Sequence, residues 1–387
     1  MALPLTYNYR NVLVRWRATL ATILGIALVV AVFVLVQSLA VGLEQSAANT
    51  GDPHNIMIVR KGSTAESTSM VSLSQFQILR YWPQIARDEV GAPLISADLI
   101  ALISQPRISG AGEANVSVRG VSPKGAALRP QVKLVAGRWF TPGQREVIVS
   151  RKLARRFAHF GVGNTFRMGS HTMTVAGLFD GARSAFDSEV WMDADEARSV
   201  FDREEYSSLL VRAASPAAGA ELIHRIESDK RLPLLAQPEV KYYADQTATA
   251  TPIKILGNFL ATAMSIGAIF AAMNTMYASV GARTREIGTL RVLGFRRRTI
   301  LAGFVVEGAL LAAMGGVLGC LLALPMHGVS TGTMSFNSFG ETVFEFRITP
   351  WLAAKGLIFA VAVGVVGSLL PAIRAARLPV ITALKSV

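Results

Sequence analysis

Cysteine is almost missing from this chain: Cys320 is the only one among 387 residues, and it lies in an apolar run. No intramolecular disulfide can form, so any folded domain depends on its own apolar core. The five histidines show neither an HExxH pattern nor cysteine partners at zinc-site spacing. A GxxxxGK[ST] loop is missing from the whole sequence, and a GxSxG motif from residues 44–252. The missing GxSxG and zinc motifs disfavour a catalytic role for residues 44–252. The missing GxxxxGK[ST] loop means that ATP, if it powers the protein, is expected to bind another subunit.

Long apolar runs, in contrast, are abundant. Three runs contain no charged residue, and only Glu307 interrupts a fourth. About 20 apolar residues cross a bilayer core of roughly 30 Å, so we predict four transmembrane helices, the first continuing as a stalk to about residue 49. The predicted spans are residues 18–43, 253–282, 299–324 and 351–373.

Two other interpretations of these runs are weaker. Four buried helices of this kind in one soluble chain of this length would be unusual. A cleaved signal peptide could explain only the first run, and its apolar core is typically about 7 to 15 residues, whereas this run has 26. We therefore expect the first run to be retained as a membrane span.

The positive charge is concentrated in three short segments. Residues 1–17, 283–298 and 374–387 contain 12 basic residues against one acid, which accounts for most of the net charge of +13. The positive-inside rule predicts that these segments, and with them both termini, are cytoplasmic. The segments 44–252 and 325–350 are then outside, and the expected location is a bacterial inner membrane.

Residues 44–252 are long enough to form a separate domain. They hold 24 basic and 22 acidic residues, so the overall pI of 10.3 reflects topology and we expect no nucleic-acid partner. Alternating stretches such as 55–60 and 165–168 predict strands parted by glycine and proline turns. We predict a mixed α/β (α+β) extracytoplasmic domain inserted between the first and second spans. Helices are expected at 74–86, 151–160, 193–201 and 217–228.

The acidic residues from Asp187 to Glu196 raise the question of a calcium site. They lack the spacing of an EF-hand loop. A strand end followed by an acidic first turn of a helix explains them as well, because acids suit a helix N-terminus. We expect no metal site in this chain.

The segment 283–298 contains six arginines and a helical pattern. Ile287, Leu290 and Leu293 recur at a spacing of three, and Glu286 falls in the first turn. Gly294 follows the last apolar residue, where helices tend to stop. This pattern predicts a short amphipathic helix along the inner membrane surface, followed by a basic turn; composition alone leaves an ordinary positive-inside loop equally open.

Two features of the third span suggest specific roles. Glu307 is an ionisable residue in a span, which favours either an ion relay or a structural role in which it pairs with a nearby arginine. The Gly315-x-x-x-Gly319 spacing predicts close helix packing, within one chain or across a dimer.

The arginine-rich segment resembles a known signature. It is similar to the motif that follows the second span in MacB/FtsX-type ABC transporter permeases, a family that includes the lipoprotein-releasing permeases. Gly315, Gly316 and Gly319 resemble the third span of that family, Pro371 resembles its C-terminal end, and pieces of residues 44–252 resemble the MacB-type periplasmic core domain. The matching residues of the motif are Arg283, Arg285, Glu286, Ile287, Gly288, Leu290, Arg291 and Gly294.

The resemblance implies a transport subunit without catalytic activity or a cofactor of its own. A cytoplasmic ABC ATPase would bind ATP and Mg²⁺, and the motif would couple it to the membrane helices and the outer domain. It further implies a second permease chain in a homodimer, a periplasmic adaptor, an outer-membrane channel and a hydrophobic or amphipathic substrate. No ATPase domain is fused to this sequence, so a stand-alone permease is expected. The alternative is an FtsX-like transmembrane signalling regulator of a periplasmic cell-wall hydrolase.

Overall fold

The computed structural model describes residues 16–110, 112–246, 250–334 and 340–379. Residues 1–15 of the predicted N-terminal segment and 380–387 of the predicted tail lie outside that description. The helices are α1 (Trp16–Ala48), α2 (Leu73–Leu79), α3 (Arg151–Ala154), α4 (Ala194–Val200), α5 (Pro216–Ser228), α6 (Glu239–Gln246), α7 (Ala250–Ala282), α8 (Thr284–Val292), α9 (Arg297–Ala323) and α10 (Pro350–Arg377). The strands are β1 (Asn55–Arg60), β2 (Ile95–Pro106), β3 (Glu113–Val121), β4 (Lys133–Gly137), β5 (Glu146–Ser150), β6 (Thr165–Met168), β7 (His171–Asp180), β8 (Glu189–Asp193), β9 (Ser208–Arg212), β10 (Leu234–Pro238), β11 (Ser330–Met334) and β12 (Glu341–Glu345).

The chain divides into two compact units. The first unit comprises Met1–Val41, Pro252–Val329 and Phe346–Val387. The second comprises Gly42–Thr251 and Ser330–Glu345. In chain order, most of the second unit lies between the first and second long apolar helices, as the sequence predicts.

Four helices in the described part of the chain are long and apolar enough to cross a membrane: Thr19–Ala48, Ile255–Ala282, Arg297–Met326 and Pro350–Arg377. Each has 28 or 30 residues, and 20 residues suffice for the bilayer core. The last helix continues through Pro371 to Arg377, four residues past the predicted end of the span. Proline is tolerated inside a membrane helix because neighbouring groups satisfy the carbonyl that it leaves unpaired.

Glycines set the packing of α9 in the first unit. A Cβ atom on Gly316 would lie 2.7 Å from the Ala360 Cβ, and one on Gly308 would lie 2.5 Å from the Ser368 Cβ. Both partners belong to α10, so the two helices approach closely because these positions carry no side chain. The packing joins the third and fourth apolar helices of one chain.

The second unit is built on a mixed sheet. Ten strands in the described residues form it, in the order β10-β1-β9-β2-β3-β8-β5-β7-β4, with β6 paired to β7. The pairs β3 with β8 and β5 with β7 are parallel, and the other pairs are antiparallel. This arrangement agrees with the predicted mixed α/β fold.

Both faces of the central strands are buried. In β1, Ile56 and Ile58 join one apolar cluster, whereas Met57 and Val59 join another. Successive side chains of a strand point to opposite faces of the sheet, so each cluster covers one face. Burial on both faces explains why such strands are continuously apolar instead of alternating.

Two predicted helices are much shorter in the structure. The helix expected at 74–86 ends at Leu79, and Pro83 follows within four residues, which disfavours helical backbone just before it. The helix expected at 151–160 ends at Ala154. Phe157 and Phe160 instead enter the core of the second unit, where Phe160 also contacts Phe166 edge to face.

The predicted short loop 325–350 contains an antiparallel hairpin, β11 with β12, that belongs to the second unit. Val343 is 1% exposed within the apolar core of that unit, and its amide donates to Ser188 Oγ over 2.7 Å. The Glu341 carboxylate pairs with the guanidinium groups of Arg107 and Arg156. A segment that follows the third span in sequence thus completes a domain formed mainly before the second span.

Candidate functional site

The arginine-rich segment folds as the short helix α8. Glu286 lies in its first turn and Arg291 in its last, which suits the helix dipole at both ends. Gly294 ends the turn after the helix with φ of +92°, a backbone conformation that side chains other than glycine adopt only with strain. Sequence and structure therefore agree on a short helix that has Glu286 in its first turn and stops before Gly294.

One side of α8 is anchored in the first unit. Ile287 is 2% exposed and packs in an apolar cluster with Val280, Ile300 and Phe304. Gly288 beside it is also buried. Leu290 and Arg291 are half-buried, and Arg291 Nη1 donates to the Phe295 carbonyl over 3.4 Å. These contacts fix α8 against α7 and α9.

The other side of α8 is open. Arg285 and Glu286 are exposed, and so are Val292 and Leu293, at 61% and 69%. The sequence pattern predicted that Leu293 would share the buried face of Ile287. Successive residues on a helix are about 100° apart, so Leu293, six positions after Ile287, lies about 120° around the helix from it and outside the cluster. The result is a charged surface with two apolar side chains at its end.

An ion pair holds the start of this helix. Arg283, at the N-cap position of α8, donates from Nη1 and Nη2 to the two carboxylate oxygens of Glu307 over 2.9 and 3.0 Å. Both residues are buried. The Arg283 guanidinium also lies 5.9 Å from the centre of the Phe304 ring. A bidentate ion pair of this kind fixes the relative orientation of the two side chains as well as their distance.

The remaining predicted positions of the first unit have packing roles. A Cβ atom on Gly315 would lie 3.0 Å from the Ile23 carbonyl oxygen, and one on Gly319 would lie 2.5 Å from that of Ala27. These two glycines thus face α1, while Gly316 faces α10. Pro371 is buried within α10. The glycine spacing serves packing within one chain, one of the two arrangements that the sequence left open.

The acidic residues from Asp187 to Glu196 are occupied by contacts within the protein, and among the described residues no group of three or more His, Cys, Asp or Glu side chains is placed to hold a metal ion. Asp187 pairs with Lys152, and Glu189 pairs with Arg119. Asp193 caps α4, accepting from the amides of Asp195 and Glu196. These contacts account for the acidic run without a bound ion.

One motif outside residues 44–252 has the pattern of a catalytic site. Residues 328–332 read GVSTG, which matches the pattern of a nucleophile elbow. Ser330 instead begins strand β11 of an antiparallel hairpin. An elbow needs a turn from strand into helix, so this serine is not placed as a nucleophile.

Comparison with known proteins decides the family. The model of the MacB-like periplasmic core domain matches residues 19–229, and that of the FtsX-like permease C-terminal domain matches residues 258–380. The chain belongs to the MacB/FtsX-type ABC transporter permeases. It is a permease-type chain, and the alternative of a hydrolase regulator is not favoured by these matches.

Three relatives show the extent of the similarity. Macrolide export ATP-binding/permease protein MacB of Nitrobacter winogradskyi is 42% identical over 34% of this chain and 19% of its own length. MacB of Pasteurella multocida is 24% identical over 95% of this chain and 57% of its own length. The uncharacterized ABC transporter permease YknZ of Bacillus subtilis is 25% identical, with 70% of each chain covered. The chain thus covers at most 57% of the length of these two MacB proteins.

Proposed function

We propose that this chain is the permease subunit of an ABC transporter whose ATPase is a separate cytoplasmic polypeptide, and that the exposed side of α8 docks on that ATPase. The observation that carries the proposal is the two-sided character of α8. Its inner side is fixed by Ile287 and Arg283, while Arg285, Glu286 and Leu293 are left on the surface.

The chemistry of the open side suits a protein partner. Exposed apolar side chains beside charged ones form the usual mixture of an interface, in which buried apolar contacts are ringed by polar groups. Arg291 is half-buried, so part of its side chain also lies at the surface.

The anchored side gives a route for motion. The Arg283 to Glu307 contact ties α8 to α9, and Ile287 ties it to the end of α7 through Val280. Packed elements of this kind move as rigid bodies when one of them is displaced. ATP-driven movement at α8 would therefore pass into α7 and α9, and through the chain segments before α7 and after α9 to the outer domain.

The remaining parts of the proposal follow the family. Both termini and α8 are cytoplasmic, the permease acts as a homodimer in a bacterial inner membrane, and ATP and Mg²⁺ are bound by the partner ATPase. Export or extraction of a hydrophobic or amphipathic substrate, with a periplasmic adaptor and an outer-membrane channel, is the proposed outcome. The names of the MacB relatives, which are macrolide export proteins, support this direction.

A charge exchange within α8 tests the docking role. The double variant Arg285→Glu with Glu286→Arg leaves the net charge of the hairpin unchanged, so the membrane orientation is retained. We expect at least a tenfold loss in affinity for the co-purified ATPase, which corresponds to about 1.4 kcal/mol, and loss of permease-stimulated ATP hydrolysis. The matched control is Glu204→Lys on the exposed surface of the second unit. Docking at α8 would be refuted by wild-type binding and stimulation in the double variant.

A further inference from the structure

The second unit contains a cavity of about 140 Å³ that the coupling function does not use. Its wall includes Ile100 and Ser117 on the sheet, and Ser67 and Gln246 on it are partly exposed, so solvent can enter. A cavity of about 150 Å³ is large enough for benzene. The charged and aromatic residues of the wall are Glu66, Arg119, Glu189, Tyr242, Tyr243 and Glu341.

The guanidinium on this wall has no hydrogen-bonding capacity left. Arg119 is 2% exposed and donates twice to Glu66, twice to Glu189 and once to Asp98, over 2.8 to 3.3 Å. An arginine side chain has five N–H donors, so all are used. An anionic ligand would find no free donor on Arg119.

The carboxylates on the wall, in contrast, have acceptor capacity to spare. Glu66 Oε2 accepts one bond, from Arg119 Nη2 over 3.0 Å, and Glu189 Oε1 accepts one from the same nitrogen over 2.8 Å. Each carboxylate oxygen can accept two. Burial raises the pKa of Glu66, but the charge and hydrogen bonds of Arg119 outweigh it and hold that pKa below its usual range. Glu66 is therefore ionised, and the wall holds three glutamates against one arginine.

A tyrosine hydroxyl completes the wall. Tyr243 is 6% exposed, and its hydroxyl has no hydrogen-bond partner among the described residues. Burial, with the nearby charge of Glu66, raises its pKa well above the ordinary value, so it stays protonated and can both donate and accept. The neighbouring Tyr242 differs, because its hydroxyl already accepts from the Glu66 amide over 2.9 Å. A buried hydroxyl without a partner normally indicates a group that completes it.

We propose that this cavity binds a small organic ammonium ion with a body about the size of one aromatic ring. The ammonium group donates to Glu66, Glu189 and the Tyr243 hydroxyl, each of which has acceptor capacity left, whereas the wall carboxylate of Glu341 is already paired with Arg107 and Arg156. The apolar body contacts Ile100 and the face of Tyr242. The site is separate from the proposed docking of an ATPase, because it requires only residues of the second unit.

Three probes of equal size and different charge test the proposal on the full chain in phosphatidylcholine nanodiscs, without ATPase. We expect isothermal titration to show saturable binding of benzylamine, at least tenfold weaker binding of benzyl alcohol, and no binding of benzoate. Tyr243→Phe should weaken benzylamine binding roughly tenfold, the size expected for a hydrogen bond to a charged group. The matched control is Tyr81→Phe, at a tyrosine that is 68% exposed outside the cavity.

A second variant locates the ligand. Ser46 lines the cavity from α1, and Ser46→Leu fills it, so benzylamine binding should be lost. Equal binding of all three probes, binding of benzoate, or unchanged benzylamine affinity in Tyr243→Phe would overturn the proposal. Tyr243→Phe removes a hydroxyl without a partner and should leave the unfolding temperature unchanged or raised. If Ser46→Leu disrupts the fold, the comparison of Tyr243→Phe with Tyr81→Phe decides alone.

Discussion

Arg283 and Glu307 show how an acid is accommodated in an otherwise apolar span. A charge at this depth would be costly alone, and the cost is reduced only when a partner satisfies it with good geometry. Here both carboxylate oxygens receive a guanidinium donor. Removing one partner leaves the other charge buried, whereas removing both leaves an apolar contact. This asymmetry distinguishes a structural pair from an ion relay, in which the acid itself is needed.

At this residue we expect Glu307→Gln to lower the free energy of unfolding of the first unit by about 3 to 5 kcal/mol, the range for breaking a buried pair. The double variant Arg283→Met with Glu307→Leu should recover most of that loss. Thermal unfolding in nanodiscs measures both. Glu286→Gln, the same change at an exposed position of α8, serves as the control and should alter stability by less than about 0.5 kcal/mol. A double variant as unstable as the single one would contradict the pairing argument.

At the scale of elements, glycine positions decide how close α9 lies to its neighbours. Membrane helices gain little from apolar burial, because lipid is equally apolar, and depend on close contact instead. Gly308 and Gly316 face α10, whereas Gly315 and Gly319 face α1. The helix therefore has two glycine faces, and the position of α8, which precedes α9 in the chain and packs against it, depends on this packing.

Two glycines in comparable helices give a matched test of that packing. A Cβ atom on Gly308 would lie 2.5 Å from the Ser368 Cβ, whereas one on Gly267 in α7 would have no neighbour within 4 Å. We expect Gly308→Ala to destabilise the first unit by about 1 to 3 kcal/mol through overpacking. Gly267→Ala should be neutral or stabilising by up to about 1 kcal/mol, because alanine favours the helix. Unfolding in nanodiscs reports both, and equal effects would argue against close contact at Gly308.

The elements differ in how far sequence could predict them. The bounds of the long apolar helices lie close to the expected ones, because uninterrupted apolarity is a strong signal. Strand β1 was also expected at its observed bounds, although its apolar residues are continuous and do not alternate. Strand β2 was missed, because Ile95 to Leu102 are almost wholly buried, on both faces, and do not alternate either. Arg119 also gave no signal, since its partners Glu66 and Glu189 are far away in sequence.

For the proposed docking site, the local pattern predicted the helix α8 and its stop at Gly294. It did not predict that Leu293 would be exposed, because a spacing of three residues drifts by about 60° per step around a helix. The Arg283 to Glu307 pair was one of two arrangements that the span suggested, and only the fold brings the two residues together. Local signals therefore locate such a site, while tertiary contacts determine which side of it is open.

At the scale of the whole molecule, charge is divided as topology requires. Segment 44–252 is nearly neutral, and the basic residues cluster beside the apolar helices. The positive-inside rule predicts from this distribution that α8 faces the cytoplasm, where an ATPase could bind it. The docking proposal depends on this orientation, so the two are tested together.

The single cysteine makes the orientation easy to measure. In a Cys320→Ala background, new cysteines are placed at Val90, which is 89% exposed in the second unit, and at Thr289 on the open side of α8. A membrane-impermeant maleimide should label Val90→Cys in intact spheroplasts. It should label Thr289→Cys only after the membrane is permeabilised, and that second step also shows that the thiol is reactive. Labelling of Thr289→Cys in intact cells would place α8 outside, and a cytoplasmic ATPase could then not dock there.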